Sequence, residues 1–222
     1  MRREKENTAI RRRRALAEVR RKRGYVLTYH RLMAELDPAL LAAYDAFYTR
    51  MTLVGRVLSP AEKETVWLAL IVATRARVGA LHFRRAAQAG MGRQAIADAV
   101  AIGAVCDSFD AAAFADEAFA EWLSRGGAVE GYLRAFEAAR GRVRPALAEI
   151  AAAVAHAGRR SGAAMRIHLE RAFRRGARRE QLAEALSFVL LHCGGPTMLA
   201  ALDTWLKSAK GGRFPAPYGR RG

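Results

Sequence analysis

The sequence predicts an all-α protein built from two tandem, duplicated helical repeats related by a pseudo-two-fold, and three observations carry that expectation. Composition is the first. Of 222 residues, 52% are hydrophobic and only 8% aromatic, alanine is abundant, and six prolines are thinly spread, which favours closely packed helices over sheet. Periodicity is the second: the apolar rows Ile96, Val100, Ile102 and Val105, and then Leu182, Leu186, Val189 and Leu190, fit amphipathic helices. The third is an internal repeat. Leu81–Gly90 and Ile167–Gly176 both read His-x-x-Arg-Ala-x-x-x-Gly, with His82 and His168 in matching places. The same offset continues through Arg93/Arg179, Ile96/Leu182, Asp98/Glu184 and Val100/Leu186.

Taken in order, residues 1–24 form a basic arm, 25–127 the first repeat, 128–210 the second, and 211–222 a flexible tail or one that docks on a neighbour. Tyr25 to Leu36 carries an apolar stripe that suits a short helix. Asp37-Pro38 then reads as a helix start, with the carboxylate capping free amides and proline in the first turn. Ser59-Pro60-Ala61-Glu62 is a capping box that opens an apolar helix through Val66, Trp67, Leu68, Leu70 and Ile71. The first histidine hairpin follows, in which Gly90 and its counterpart Gly176 stand where a left-handed C-terminal cap is needed. Gly126-Gly127 marks the junction, the helix Val129 to Ala139 connects the halves, and Pro145 starts the helix corresponding to the capping-box helix. Gly194-Gly195-Pro196 ends one late helix and starts another.

The net charge of +17 is concentrated at the N-terminus, where residues 1–24 hold eleven Lys or Arg against three Glu. Such a run suits contact with nucleic acid or an anionic surface, but no nucleic-acid motif or aromatic residue accompanies it, and a solvated helical arm or an oligomer contact is the favoured reading. Two cysteines, Cys106 and Cys193, make no disulfide framework. No apolar run approaches the roughly twenty residues of a membrane span, so a soluble cytoplasmic protein is expected.

At these residues the chain resembles a known family. Leu58-Ser59-Pro60-x-Glu62-x-Glu64, an apolar helix, His82-x-x-x-Ala86-x-x-x-Gly90 and an amphipathic helix are similar to the carboxymuconolactone decarboxylase and alkylhydroperoxidase-D superfamily. The Gly194-Gly195-Pro196 of the second half is similar to the Gly-x-Pro of the decarboxylase branch. A tandem chain of this kind resembles a fused dimer that assembles further into a homo-oligomer. The peroxidase branch places a Cys-x-x-Cys just before the histidine. Here those places hold Arg75 and Val78, and Ser161 and Ala164, so the resemblance implies no thiol peroxidase. Its relay glutamate, nineteen residues before the histidine, is matched by Glu149. In the first repeat that place is Lys63, with Glu64 one position on.

The decarboxylase resemblance implies a small carboxylated lactone or related acid as substrate, and neither metal nor organic cofactor. The reaction needs a cation for the substrate carboxylate, donors for the enolate that develops, and an acid to protonate carbon. His168 comes first and His82 second as proton donor, Glu149 orients an imidazole, Arg166, Arg171, Arg75 and Arg77 are candidate carboxylate clamps, and the amide of Gly195 lines a pocket. A catalytically silent scaffold that kept the fold is the alternative, and anion or nucleic-acid binding through residues 1–24 is the third reading.

Overall fold

The computed structural model describes residues 2–219; Met1 and residues 220–222, which close the arm and the tail, lie outside the described residues. Every regular element among them is helical. None of these helices is long and apolar enough to cross a membrane. The chain divides into two compact units, Met1–Val54 and Gly55–Gly222, so the junction expected between the repeats lies inside the second.

The first unit contains α1 (Arg2–Arg23), α2 (Thr28–Leu36) and α3 (Pro38–Tyr48), followed by a π-helical turn at Thr49–Leu53. As the sequence anticipates, Asp37 caps α3, its Oδ1 accepting the Ala39 amide at 2.8 Å, with Pro38 in the first turn. Val19 of α1, Ala34 of α2 and Leu41 of α3 form a small core. The charge run is therefore only partly solvated. Arg23 is buried, its Nε donates to Asp45 Oδ1 at 3.0 Å, and its guanidinium lies 3.7 Å from the Tyr48 ring centroid. Lys22 Nζ donates to the other carboxylate oxygen of Asp45 at 2.9 Å. Two cations at the end of the run are thus committed to one buried carboxylate, while Arg11, Arg13, Arg14, Arg20 and Arg21 remain exposed.

The second unit is built around two central helices, α4 (Pro60–Ala73) and α9 (Pro145–Gly158), which pack on each other. Both are apolar on nearly all sides, from Val66 to Ile71 in α4 and from Leu147 to Ala157 in α9, as a helix enclosed by others must be. Each fully buried Leu or Ile, such as Leu68, Leu70 and Ile150, contributes roughly 1.5–3 kcal/mol. The alanines of α9 let neighbours approach closely. After α4 come a 3-10 turn (Arg77–Ala80), α5 (Leu81–Gln88) and α6 (Arg93–Val105); after α9 come α10 (Gly162–Arg174) and α11 (Arg179–Cys193). A 3-10 turn at Cys106–Ser108, α7 (Phe109–Ala118) and α8 (Gly127–Ala139) connect the halves, and α12 (Gly195–Ala209) closes the unit. Gly90 and Gly176 have φ of 81° and 82° and end α5 and α10 in the same left-handed cap, Met91 donating to Ala86 at 3.0 Å and Ala177 to Ala172 at 2.9 Å.

The halves hold each other by a reciprocal clamp. Glu184 on α11 accepts the amides of Val57 and Leu58, at 2.6 and 2.9 Å, in the segment that leads into α4. Asp98, at the matching place on α6, accepts the amide of Arg142 at 2.9 Å in the segment that leads into α9. Each carboxylate satisfies backbone donors in the segment just before a central helix, and each does so in the opposite repeat, which is what a pseudo-two-fold requires. The tail differs from the expectation of a loose or neighbour-bound segment. Phe214 is buried and stacks on Phe173 of α10 with ring centroids 4.9 Å apart, and the Trp205 indole of α12 donates to the Pro215 carbonyl at 2.9 Å.

Candidate functional site

Each repeat sets a histidine against a glutamate from its central helix, and the two pairs are reached by different registers. His168 Nδ1 lies 2.6 Å from Glu149 Oε2, and His82 Nδ1 lies 2.7 Å from Glu64 Oε2. The glutamates are nineteen and eighteen residues before their histidines. The reason is local. Arg75 and Arg160 occupy the same left-handed position after the central helix, with φ of 53° and 61°, and the amides of Ala76 and Ser161 reach back to Ile71 and His156 in the same way. Beyond this point the first repeat runs through a 3-10 turn into α5, where the second starts α10 directly at Gly162. A 3-10 turn rises more per residue than an α-helix, so one residue fewer bridges the gap. Glu64, not Lys63, is therefore the counterpart of Glu149.

The surroundings of the two histidines differ sharply. His168 is fully buried, as is Glu149. Burial depresses the His168 pKa, and the hydrogen bond to Glu149 only partly opposes this. Its Nδ1–H donates to the carboxylate, which leaves Nε2 as an acceptor, and Tyr132 Oη of α8 sits 2.7 Å from it. The same hydroxyl lies 2.9 Å from His156 Nε2. With its single proton directed to His168, the Tyr132 oxygen must accept Nε2–H from His156, which leaves His156 Nδ1 bare. That nitrogen is buried without a partner among the described residues, as the assignment demands. Burial drives the His156 pKa down to about 2 and the Tyr132 pKa upward, so both are neutral across ordinary pH. Phe136 closes over His168 with centroids 4.7 Å apart, and Arg171 Nε donates to Glu149 Oε1 at 2.7 Å. Both ring nitrogens of His168 are thus taken, and neither meets a ligand except by displacing a core side chain.

His82 is more open. Its Nε2 has no partner among the described residues, and the side chain keeps 11% of its surface exposed. One face of the ring stacks on Trp67, centroids 4.5 Å apart, and Trp67 stacks in turn on Phe188 of α11 at 4.8 Å. His192, at the end of α11, meets Trp67 edge-on at 6.0 Å and bonds Thr74 Oγ1 through Nε2 at 2.8 Å. Its pKa is lowered, first by burial and then by the proximity of His82. This second group comes from the opposite repeat, so the His82 site exists only because α11 packs across α4.

The candidate clamps fall in different places. Arg171 is committed to Glu149 and, through Nη2, to Glu137. Arg75 pairs with Asp107, and Arg166 lies 3.6 Å from Glu170. Arg77 is exposed on the 3-10 turn before α5 and has no ion pair among the described residues. Gly195 begins α12 just past the α11 end that carries His192, with Gly194 at φ 85°. Cys106 and Cys193 are free thiols at the ends of α6 and α11. Burial pushes the Cys106 thiol up to about 12, the opposite of an activated thiolate. Among the described residues no three His, Cys, Asp or Glu side chains gather as a metal site would need.

The sequence did not point to Tyr132, Trp67 or Phe188 as neighbours of the histidines. Tyr132 and Phe136 share the face of the connecting helix by their i, i+4 spacing, which is the one signal that was present.

Fold and site define an all-helical tandem-repeat protein in which each half carries a glutamate–histidine pair between its central helix and the helix that follows. The carboxymuconolactone decarboxylase family model matches residues 38–121 and 128–206, one segment per repeat, and the chain belongs to that family. No curated protein and no solved structure matches it.

Proposed function

We propose that the chain is a cofactor-independent carboxy-lyase acting on a small carboxylated lactone or related acid, with His82 as its proton donor. The observation that carries this reading is the asymmetry of His82: Nδ1 is tied to Glu64 at 2.7 Å while Nε2 is unpartnered among the described residues. The family supports it. In the reaction the bond between the substrate carboxylate and its α-carbon breaks, carbon dioxide leaves, and the electron pair enters an enolate. His82 Nε2–H then protonates that carbon while Glu64 holds Nδ1–H and fixes the ring, and solvent restores the proton to Nε2. Trp67 walls the imidazole on one face, and Arg77 is the cation still available for the carboxylate. The order of the two histidines is thus reversed from the sequence expectation, because Tyr132 occupies His168 Nε2.

Carbon dioxide release from carboxylated lactones and β-keto acids tests the reading. His82→Ala should abolish release that the parent protein shows; release undiminished in that variant overturns it. A second reading, a silent scaffold, is favoured by the sealed state of His168, and it predicts no release from any member of the panel. The homo-oligomer and the reducing, cytoplasmic setting are part of the proposal. The exposed apolar run of Phe114, Phe119, Trp122 and Leu123 supports the first, and the two free thiols support the second.

A further inference from the structure

A groove of about 770 Å³ opens between the end of α10, the start of α11 and the docked tail. It lies outside both glutamate–histidine pairs. Its floor is apolar: half-buried Phe173 and exposed Pro215 line it, and the buried Phe214 backs Phe173 with an interplanar angle of 15°. This wall is fixed rather than incidental, because the Trp205 indole holds the Pro215 carbonyl at 2.9 Å and Phe214 is only 7% exposed.

The rim is cationic. Arg174, Arg178, Arg179 and Arg213 line the groove against Glu170 and Glu180. Arg179 pairs with Glu180 at 3.0 Å, and Glu170 faces Arg166 at 3.6 Å. Arg174, Arg178 and Arg213 have no carboxylate partner among the described residues. Three guanidinium groups brought to one groove repel each other, and a bound anion relieves that repulsion while accepting forked hydrogen bonds. An inorganic anion alone would leave the accessible surface of Phe173 and Pro215 uncovered. The volume also falls in the range of small-molecule sites.

We infer that this groove binds a small anion with a flat apolar body, its carboxylate or phosphate head held by Arg174, Arg178 and Arg213 and its body laid on Phe173 and Pro215. Titration calorimetry on the intact chain with benzoate and phenyl phosphate tests this, and the tighter of the two identifies the head group. The expected result is saturable 1:1 binding of at least one probe, weakened tenfold or more in the Arg178→Ala/Arg213→Ala variant and unchanged in Arg125→Ala, a control elsewhere on the surface. Circular dichroism establishes that the variants keep the parent's helicity. Benzyl alcohol, which lacks the charge, should not bind. Absence of saturable binding overturns the inference. So does binding that survives the double substitution, or inorganic phosphate binding as tightly as phenyl phosphate.

Discussion

Glu64 holds His82 at 2.7 Å with one residue fewer between them than separate Glu149 from His168, which pair at 2.6 Å. The 3-10 turn before α5 absorbs the difference, so two repeats that align with an apparent lysine-for-glutamate mismatch carry the same bond. Their functions diverge in what covers the other side of each imidazole. Tyr132 and Phe136 seal one; Trp67 and the end of α11 leave the other ajar.

If Glu64 and His82 act as one unit, their substitutions are not additive. Glu64→Gln is expected to lower kcat/KM for carbon dioxide release by about 10²-fold, within the usual range for acid–base groups. Adding Glu64→Gln to His82→Ala should cost little more than His82→Ala alone. Steady-state kinetics on the three variants checks it, and full additivity would contradict a shared role.

His168 is expected to act through stability. Its removal in His168→Ala leaves the Glu149 carboxylate and the Tyr132 hydroxyl buried with partners lost, and breaking a buried pair of this kind costs about 3–5 kcal/mol. Urea denaturation should show the midpoint falling with an unchanged slope.

The acid side of the stability profile should carry a signature of His156. Its folded pKa of about 2 lies below the ordinary value of 6.5, so the unfolded chain binds the proton first. The stabilisation is complete above pH 6.5 and is lost as pH falls toward the folded pKa, at about 1.4 kcal/mol per pH unit for one histidine. His156→Gln keeps a donor for Tyr132 and does not titrate. Between pH 6 and pH 4 its stability should fall less steeply than the parent's by about that amount, as measured by denaturation at each pH.

The reciprocal clamp predicts paired effects. Glu184→Gln weakens the contacts to the Val57 and Leu58 amides, and Asp98→Asn weakens the one to Arg142. Each is expected to cost about 1–3 kcal/mol. The two clamps share no partner, so the double variant should lose close to the sum. Equilibrium unfolding of the three proteins measures it.

Much of this architecture was legible in the sequence. The duplicated histidine hairpin, the capping box at Ser59 and the left-handed glycines all follow from rules that operate over a few residues, and all stand where they were expected. The pairing of Glu64 was not decidable, because residue spacing does not reveal whether a turn is 3-10 or α. The sealing of His168 was hidden for another reason: Tyr132 and Phe136 arrive from a helix more than thirty residues away in sequence. The run at the N-terminus reads the same whether its cations are solvated or, like Arg23, buried on an aspartate.

The two histidines differ most in their access, and carbethoxylation mapped by mass spectrometry reads that difference directly. Under brief treatment of the folded protein, His82 is predicted to be modified at Nε2 while His168 stays unmodified until the chain is denatured. Equal modification of His168 in protein that keeps its helical circular dichroism would contradict it.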